Sequence, residues 1–213
     1  MISPALTSTD DARLVLPAGA AVPEGIPAGI FAAAVDTFVA GQRLDMRSLA
    51  RRLGVARATL YRRAGNRERM LDEVLWWRAR RLLVEQVQAS AGLAGSERLV
   101  AVIGGVLRAI ARDRPLRAFL ESDPETALRL LTGTRSTVHQ GMASALEKLI
   151  DLERERGYFD ASLDTPTLAY AIVRISEGFL YCDVVADRAP DIDRATTVIE
   201  ALLTGLDRRS APV

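Results

Sequence analysis

One histidine and one cysteine in 213 residues leave this chain little of the chemistry that enzymes draw on. His139 and Cys182 stand far apart in sequence. They give neither the three or four ligands of a metal site nor a nucleophile beside its base. No enzymatic activity, metal or cofactor is expected. A lone cysteine excludes an intramolecular disulfide and suits a reducing compartment. No apolar run approaches the roughly 18 residues of a membrane span. The chain starts without a basic stretch leading into an apolar core, so no secretory signal is expected. These absences predict a cytoplasmic protein with no membrane partner. No Gly-rich phosphate loop is present; Gly104-Gly105 falls inside a helical pattern, where it lets another helix come close. Nowhere do apolar and polar residues alternate as in a strand, and there is no internal repeat.

Charge is distributed unevenly. The net charge is +1, but the segment from Arg43 to Arg81 holds twelve Arg against Asp45, Glu68, Asp72 and Glu73. That segment carries a net +8 and the remainder a net −7. An electropositive island on an otherwise acidic chain suits a polyanion bound at one end. Lys148 is the only lysine, a preference that a GC-rich genome explains without chemistry.

Inside the island lies Met46-Arg-Ser-Leu-Ala-Arg-Arg-Leu-Gly-Val-Ala-Arg-Ala-Thr-Leu-Tyr-Arg-Arg63. Leu49, Leu53 and Leu60 are apolar at helical spacing, Ala50 is small, and Gly54 separates two short amphipathic segments. A helix-turn-helix needs this frame: a small residue where the helices cross, a glycine in the turn, an apolar lock beyond it. Asp45 is a suitable N-cap for the first helix, over 46–53; the second covers 57–63 and stops at Gly65.

The rest also reads as helix. Ile30, Phe31, Ala34, Val35 and Phe38 form one face of a helix after Pro27. Asn66 caps a long helix from Arg67 to about Ser90. Further helices run from Ser96 to Asp113, from Asp123-Pro124, over 135–156, from Thr165-Pro166 to Ala186, and along the stripe Ile192, Ala195, Ile199, Leu202, Leu203 and Leu206. The expectation is an all-α protein of about nine helices: a mobile arm over 1–25 with room for a short turn near Asp10–Leu16, a helix-turn-helix DNA-binding domain over 26–72, and an effector-binding and dimerisation domain over 73–213. The helix over 166–186 carries only Arg174, Glu177 and Asp183 as charges. A helix apolar on nearly all sides needs a core on one side and a partner on the other, which points to a homodimer sealed by this helix and the last.

The segment Leu49–Tyr61, followed by Glu68-Arg-Met-Leu71, resembles the recognition motif and fourth helix of the TetR family of transcriptional regulators. Arg174-Ile-Ser-Glu-Gly-Phe-Leu-Tyr181 resembles the lactone-catabolism repressors within that family. The resemblance implies a repressor that binds a palindromic operator in double-stranded DNA and is released by a small, largely apolar effector, here a lactone or acyl-lactone. A DNA-binding regulator without a small-molecule effector is the alternative. The chain departs from the family pattern where Ala56 stands for a capping Ser, Ala64 for a Phe, and Arg67 for a Lys.

For the DNA side, the N-terminal part of the second helix enters the major groove. That nominates Arg57, Ala58, Thr59 and Arg62 for base edges and Arg47, Arg63 and Arg67 for the phosphate backbone, with the Tyr61 hydroxyl on a phosphate as the resemblance implies. For the effector, polar groups on otherwise apolar helices nominate Arg135, His139, Met142, Tyr170, Arg174, Glu177, Phe179 and Tyr181. Arg174 and Glu177 stand three apart, a spacing that equally suits an ion pair. Of Trp76 and Trp77, one belongs in the core and the other near the hinge between domains.

Overall fold

The computed structural model describes residues 8–16, 22–186 and 188–209. Among the described residues all regular structure is helical, apart from one isolated bridge between Ala161 and Asp207. The helices are α1 (Ser8–Val15), α2 (Ala28–Val39), α3 (Met46–Arg52), α4 (Arg57–Ala64), α5 (Arg67–Ala89), α6 (Gly95–Ala111), α7 (Arg114–Ser122), α8 (Pro124–Thr132), α9 (Thr137–Glu155), α10 (Thr165–Glu177), α11 (Asp183–Val185) and α12 (Ile192–Leu206). A π-helical turn, Gly178–Cys182, joins α10 to α11.

Side-chain caps set many of the starts. Asp45, Asn66, Asp113, Ser136, Asp164 and Asp191 each accept from a backbone N–H in the first turn of α3, α5, α7, α9, α10 and α12. Helix α4 has no such cap, because Ala56 offers no side-chain acceptor.

Helix α5 is the axis of the molecule. Its first half buries Met70, Leu71 and Val74, with α2 packed alongside; its second half buries Ala79, Leu83 and Val87, with α6 and α9 against it. Trp77 meets Phe31 of α2 edge-on at 6.1 Å, whereas Trp76 lies against Gly141 of α9. The two tryptophans therefore face the two different bodies that α5 joins. Helix α6 crosses α5 at Gly105, where a Cβ would lie 2.1 Å from the Gln86 side-chain oxygen. Its other side meets α12 through Ala195, Ile199 and Leu203, all fully buried.

Two expectations change. The helix expected over 166–186 is interrupted by the π turn, whose extra residue swings Leu180 and Tyr181 into the core. The stretch expected as a mobile arm contains α1, docked on α5 and α9. Ala12, Val15 and Leu16 are buried there, and charge fixes the helix in place. Arg98, buried on α6, donates to Asp11 of α1 at 2.9 Å and to Glu153 of α9 at 2.7 Å. Arg156 also reaches Asp11, and Glu153 accepts from the Gly95 N–H at 2.7 Å.

Removing one partner from such a buried network strands the others without compensation. Asp11→Ala should lower unfolding free energy by about 3–5 kcal/mol in urea titrations at neutral pH. Burial alone would raise the Asp11 carboxyl, but Arg156 and Arg98 outweigh it and hold it below the ordinary value. Its contribution is therefore complete above the ordinary carboxyl range and fades as pH falls through the lower, folded value. The stability gap between wild type and Asp11→Asn should narrow as the titrations are moved into acid.

Candidate nucleic-acid interface and effector cavity

Helices α3 and α4 are held together by their small and apolar residues. Leu49, Ala50, Leu60 and Ala64 are buried, and the chain turns between the helices at Gly54, whose φ of 65° only glycine adopts at low cost. Arg52 donates to the Ala33 carbonyl, tying the end of α3 to α2.

The outward side of this unit holds Arg47, Arg57, Ala58, Tyr61, Arg62 and Arg63, all exposed, with Thr59 half-buried among them. The Arg57 guanidinium lies over the Tyr61 ring at 5.5 Å, one turn along α4, and holds both groups on one face. Arg67 is placed differently from its neighbours. Its Nε donates to the Leu44 carbonyl at 2.9 Å and its Nη1 to Asp123 at 2.9 Å. Arg67, expected at the phosphate backbone, thus has two of its donors engaged by groups of this chain.

Beyond α4, polar contacts fasten α5 to the C-terminal helices. Glu68 pairs with Arg129 of α8 at 2.7 Å, and Asp72 accepts from the backbone and hydroxyl of Thr137 at the start of α9. Arg78 pairs with Asp113, the cap of α7, and also lies over the ring of Phe38 on α2 at 5.7 Å. Phe38 in turn meets Phe119 of α7 edge-on at 5.9 Å.

A cavity of about 90 Å³ lies between α5, α6, α9, α10 and the π turn. Leu83, Val106, Leu146, Leu149, Ile172 and Leu180 make much of its wall. For scale, an engineered apolar cavity of about 150 Å³ holds benzene. A larger guest must therefore push the walls apart, and α5 is one of them.

Four of the eight nominated effector residues line the cavity: His139, Met142, Glu177 and Tyr181. The other four lie outside its wall. Arg135 is exposed at the start of α9, Tyr170 is 49% exposed, and Phe179 is half-buried outside the cavity. Arg174 stands behind it, donating to Glu177 at 2.7 Å and to the Thr132 carbonyl at 2.7 Å, so the three-residue spacing does make an ion pair. Glu177 also contacts His139 Nδ1 at 2.7 Å. Burial holds the Tyr181 hydroxyl protonated, pushing its pKa far upward, with the charges of Glu177 and Asp113 adding to the effect. Sequence reasoning missed Arg78, Asp113 and Ser176 as cavity residues; in the sequence Asp113 is legible only as the end of the helix that Ser96 opens.

A basic helix-turn-helix joined through one helix to a largely apolar cavity is the build of a ligand-responsive transcriptional regulator. A family profile described as "Tetracyclin repressor-like, C-terminal domain" matches residues 94–204. The chain is similar over most of its length to the transcriptional repressor QsdR of R. erythropolis, described as from the TetR family. Identity is 30%, covering 84% of this chain and 94% of that one, with a TM-score of 0.74. This protein belongs to the TetR family. The fatty acid degradation regulator FadR of Bacillus halodurans shares the fold at 21% identity, with 82% and 92% of the two chains covered and a TM-score of 0.54. No curated protein matches the chain. Among the described residues no helix is long and apolar enough to cross a membrane.

If Arg67 acts by holding Leu44 and Asp123, then Arg67→Ala and Asp123→Asn should weaken DNA binding by similar factors and leave the salt dependence unchanged. Fluorescence anisotropy across a salt series checks this. A direct phosphate contact would flatten the slope for Arg67→Ala alone.

Proposed function

We propose that this chain is a homodimeric repressor that binds a palindromic operator and is released when a small, largely apolar molecule enters the cavity. The observation that carries the reading is the continuity of α5. Met70 and Leu71 belong to the core beneath the helix-turn-helix, while Leu75, Arg78, Ala79 and Leu83 line the cavity two turns further on. A guest that needs more than about 90 Å³ displaces the helix on which the DNA-binding unit is built. Release then follows if the displaced arrangement binds the guest better than the arrangement that fits DNA.

In this reading residues 26–72 form the DNA-binding domain and 73–213 the effector and dimerisation domain. Arg57, Ala58, Thr59 and Arg62 read base edges, while Arg47, Tyr61 and Arg63 hold phosphates. Arg67 positions α5. The homodimer forms through α10 and α12, which leave the large apolar side chains of Tyr170 and Val198 exposed. The lactone or acyl-lactone class of effector rests on the resemblance of Arg174–Tyr181 to lactone-catabolism repressors and on a mostly apolar wall whose charged side chains are paired with one another or with Arg174.

The test is binding of the purified protein to DNA flanking its own gene, read by anisotropy and nuclease protection. A protected, roughly palindromic site is expected, with affinity falling steeply as salt rises. Arg57→Ala and Arg62→Ala should each relax sequence preference at one half-site position, at a cost of about 1–3 kcal/mol. A C-terminal core that stays closed to every apolar ligand, in free and DNA-bound protein, would leave a regulator without an effector.

A further inference from the structure

Six side chains bring polar atoms to the cavity: Arg78, Asp113, His139, Ser176, Glu177 and Tyr181. Four of them are engaged by the protein itself. Arg78 and Asp113 pair, and Asp113 also caps α7; the Ser176 hydroxyl donates to the Ile172 carbonyl at 2.8 Å; Glu177 takes Arg174 and His139. Two polar atoms have no partner among the described residues: Nε2 of His139 and the hydroxyl of Tyr181. Both residues are 5% exposed and line the cavity, so what these two atoms meet is whatever fills it. A buried polar group left without a partner is costly, and its natural complement is the guest of the cavity.

The hydrogen bonding around Glu177 decides what each atom offers. The carboxylate charge is balanced by Arg174 at 2.7 Å, and Thr132 fixes that guanidinium from behind. A carboxylate only accepts, so His139 presents Nδ1–H to it. In the tautomer that this contact selects, the ring lone pair lies on Nε2, which accepts a hydrogen bond. The Tyr181 hydroxyl, kept protonated by its burial, donates. The remaining wall is apolar and carries no unpaired charge.

Resting on the reading of this cavity as the effector site, we propose that it selects an uncharged ligand with a hydrogen-bond donor beside an acceptor, as in a secondary amide. The ligand N–H goes to His139 Nε2, the carbonyl accepts from Tyr181, and the alkyl part lies along Val106, Leu149 and Ile172. A plain alkyl lactone, which only accepts, satisfies Tyr181 and leaves His139 unmatched. Arg174 and Glu177 are positioning residues that set which ring nitrogen carries the proton.

The experiment compares a γ-lactone with the γ-lactam carrying the same propyl tail, so that a ring N–H replaces a ring oxygen at nearly constant shape. Calorimetry and thermal shift are run on wild type, His139→Leu and Tyr181→Phe. Wild type should bind the lactam about tenfold more tightly, the effect of one well-placed hydrogen bond. His139→Leu should bring the two affinities together. Tyr181→Phe, a variant that keeps the packing, should weaken both and preserve their ratio. Equal binding of the two compounds to wild type, or a preference that survives in His139→Leu, overturns the proposal. If neither compound binds but an apolar ligand such as a small alkylbenzene does, the donor–acceptor assignment falls and the effector cavity stands. If no ligand of any of these kinds binds, both fall together.

Discussion

Helix α5 runs unbroken from Arg67 to Ala89, and the two halves of the molecule are built against it. Its N-terminal turns close the core beneath the helix-turn-helix; its C-terminal turns form a wall of the cavity. A helix is stiff along its axis, so a displacement at Ala79 or Leu83 cannot be absorbed before it reaches Met70. This constraint makes a small cavity consequential. Had the two bodies been joined by a flexible linker, filling one would leave the other undisturbed.

Charge refines the coupling that packing provides. Arg67–Asp123, Glu68–Arg129 and Arg78–Asp113 join the first turn and the middle of α5 to α7 and α8. The exposed Glu68–Arg129 pair contributes little to stability. Arg78 and Asp113 are more consequential, because Asp113 also caps α7, Arg78 stacks on Phe38 of α2, and both line the cavity. On the far side of the molecule, Arg98 and its carboxylates clamp α1, α6 and α9 into one body. The C-terminal half thus offers a rigid frame on one flank and a set of breakable polar contacts on the other.

What was legible in the sequence was local. The helix-turn-helix could be placed because spacing, the Gly54 turn and the Asp45 and Asn66 caps are all properties of a few consecutive residues. The cavity was half legible. Polar groups on apolar helices mark a face that something must occupy, but not which part of that face turns inward. Tyr170, Arg174 and Glu177 share one stripe of α10, yet the first is exposed, the second half-buried and the third buried. The π turn was invisible, since its extra residue answers to the packing of Leu180 and Tyr181 rather than to any local signal. The contacts of Arg67 were hidden for a related reason. A basic residue at a helix N-terminus inside a basic island looks like a phosphate contact, and only the tertiary fold brings Asp123 to it across 56 positions. Helix α1 was legible only as a short turn near Asp10–Leu16, because its buried Asp11 finds its partners far along the chain, on α6 and at the end of α9.

The central claim is that cavity and DNA-binding face are coupled through α5, and linkage tests it without knowledge of the path. The affinity of the tightest-binding cavity ligand should be measured by calorimetry on free protein and again on protein saturated with its operator. Coupling requires weaker binding on the operator, by the same factor by which the ligand weakens DNA binding. Equal affinity in the two states would contradict the account, whatever the ligand proves to be.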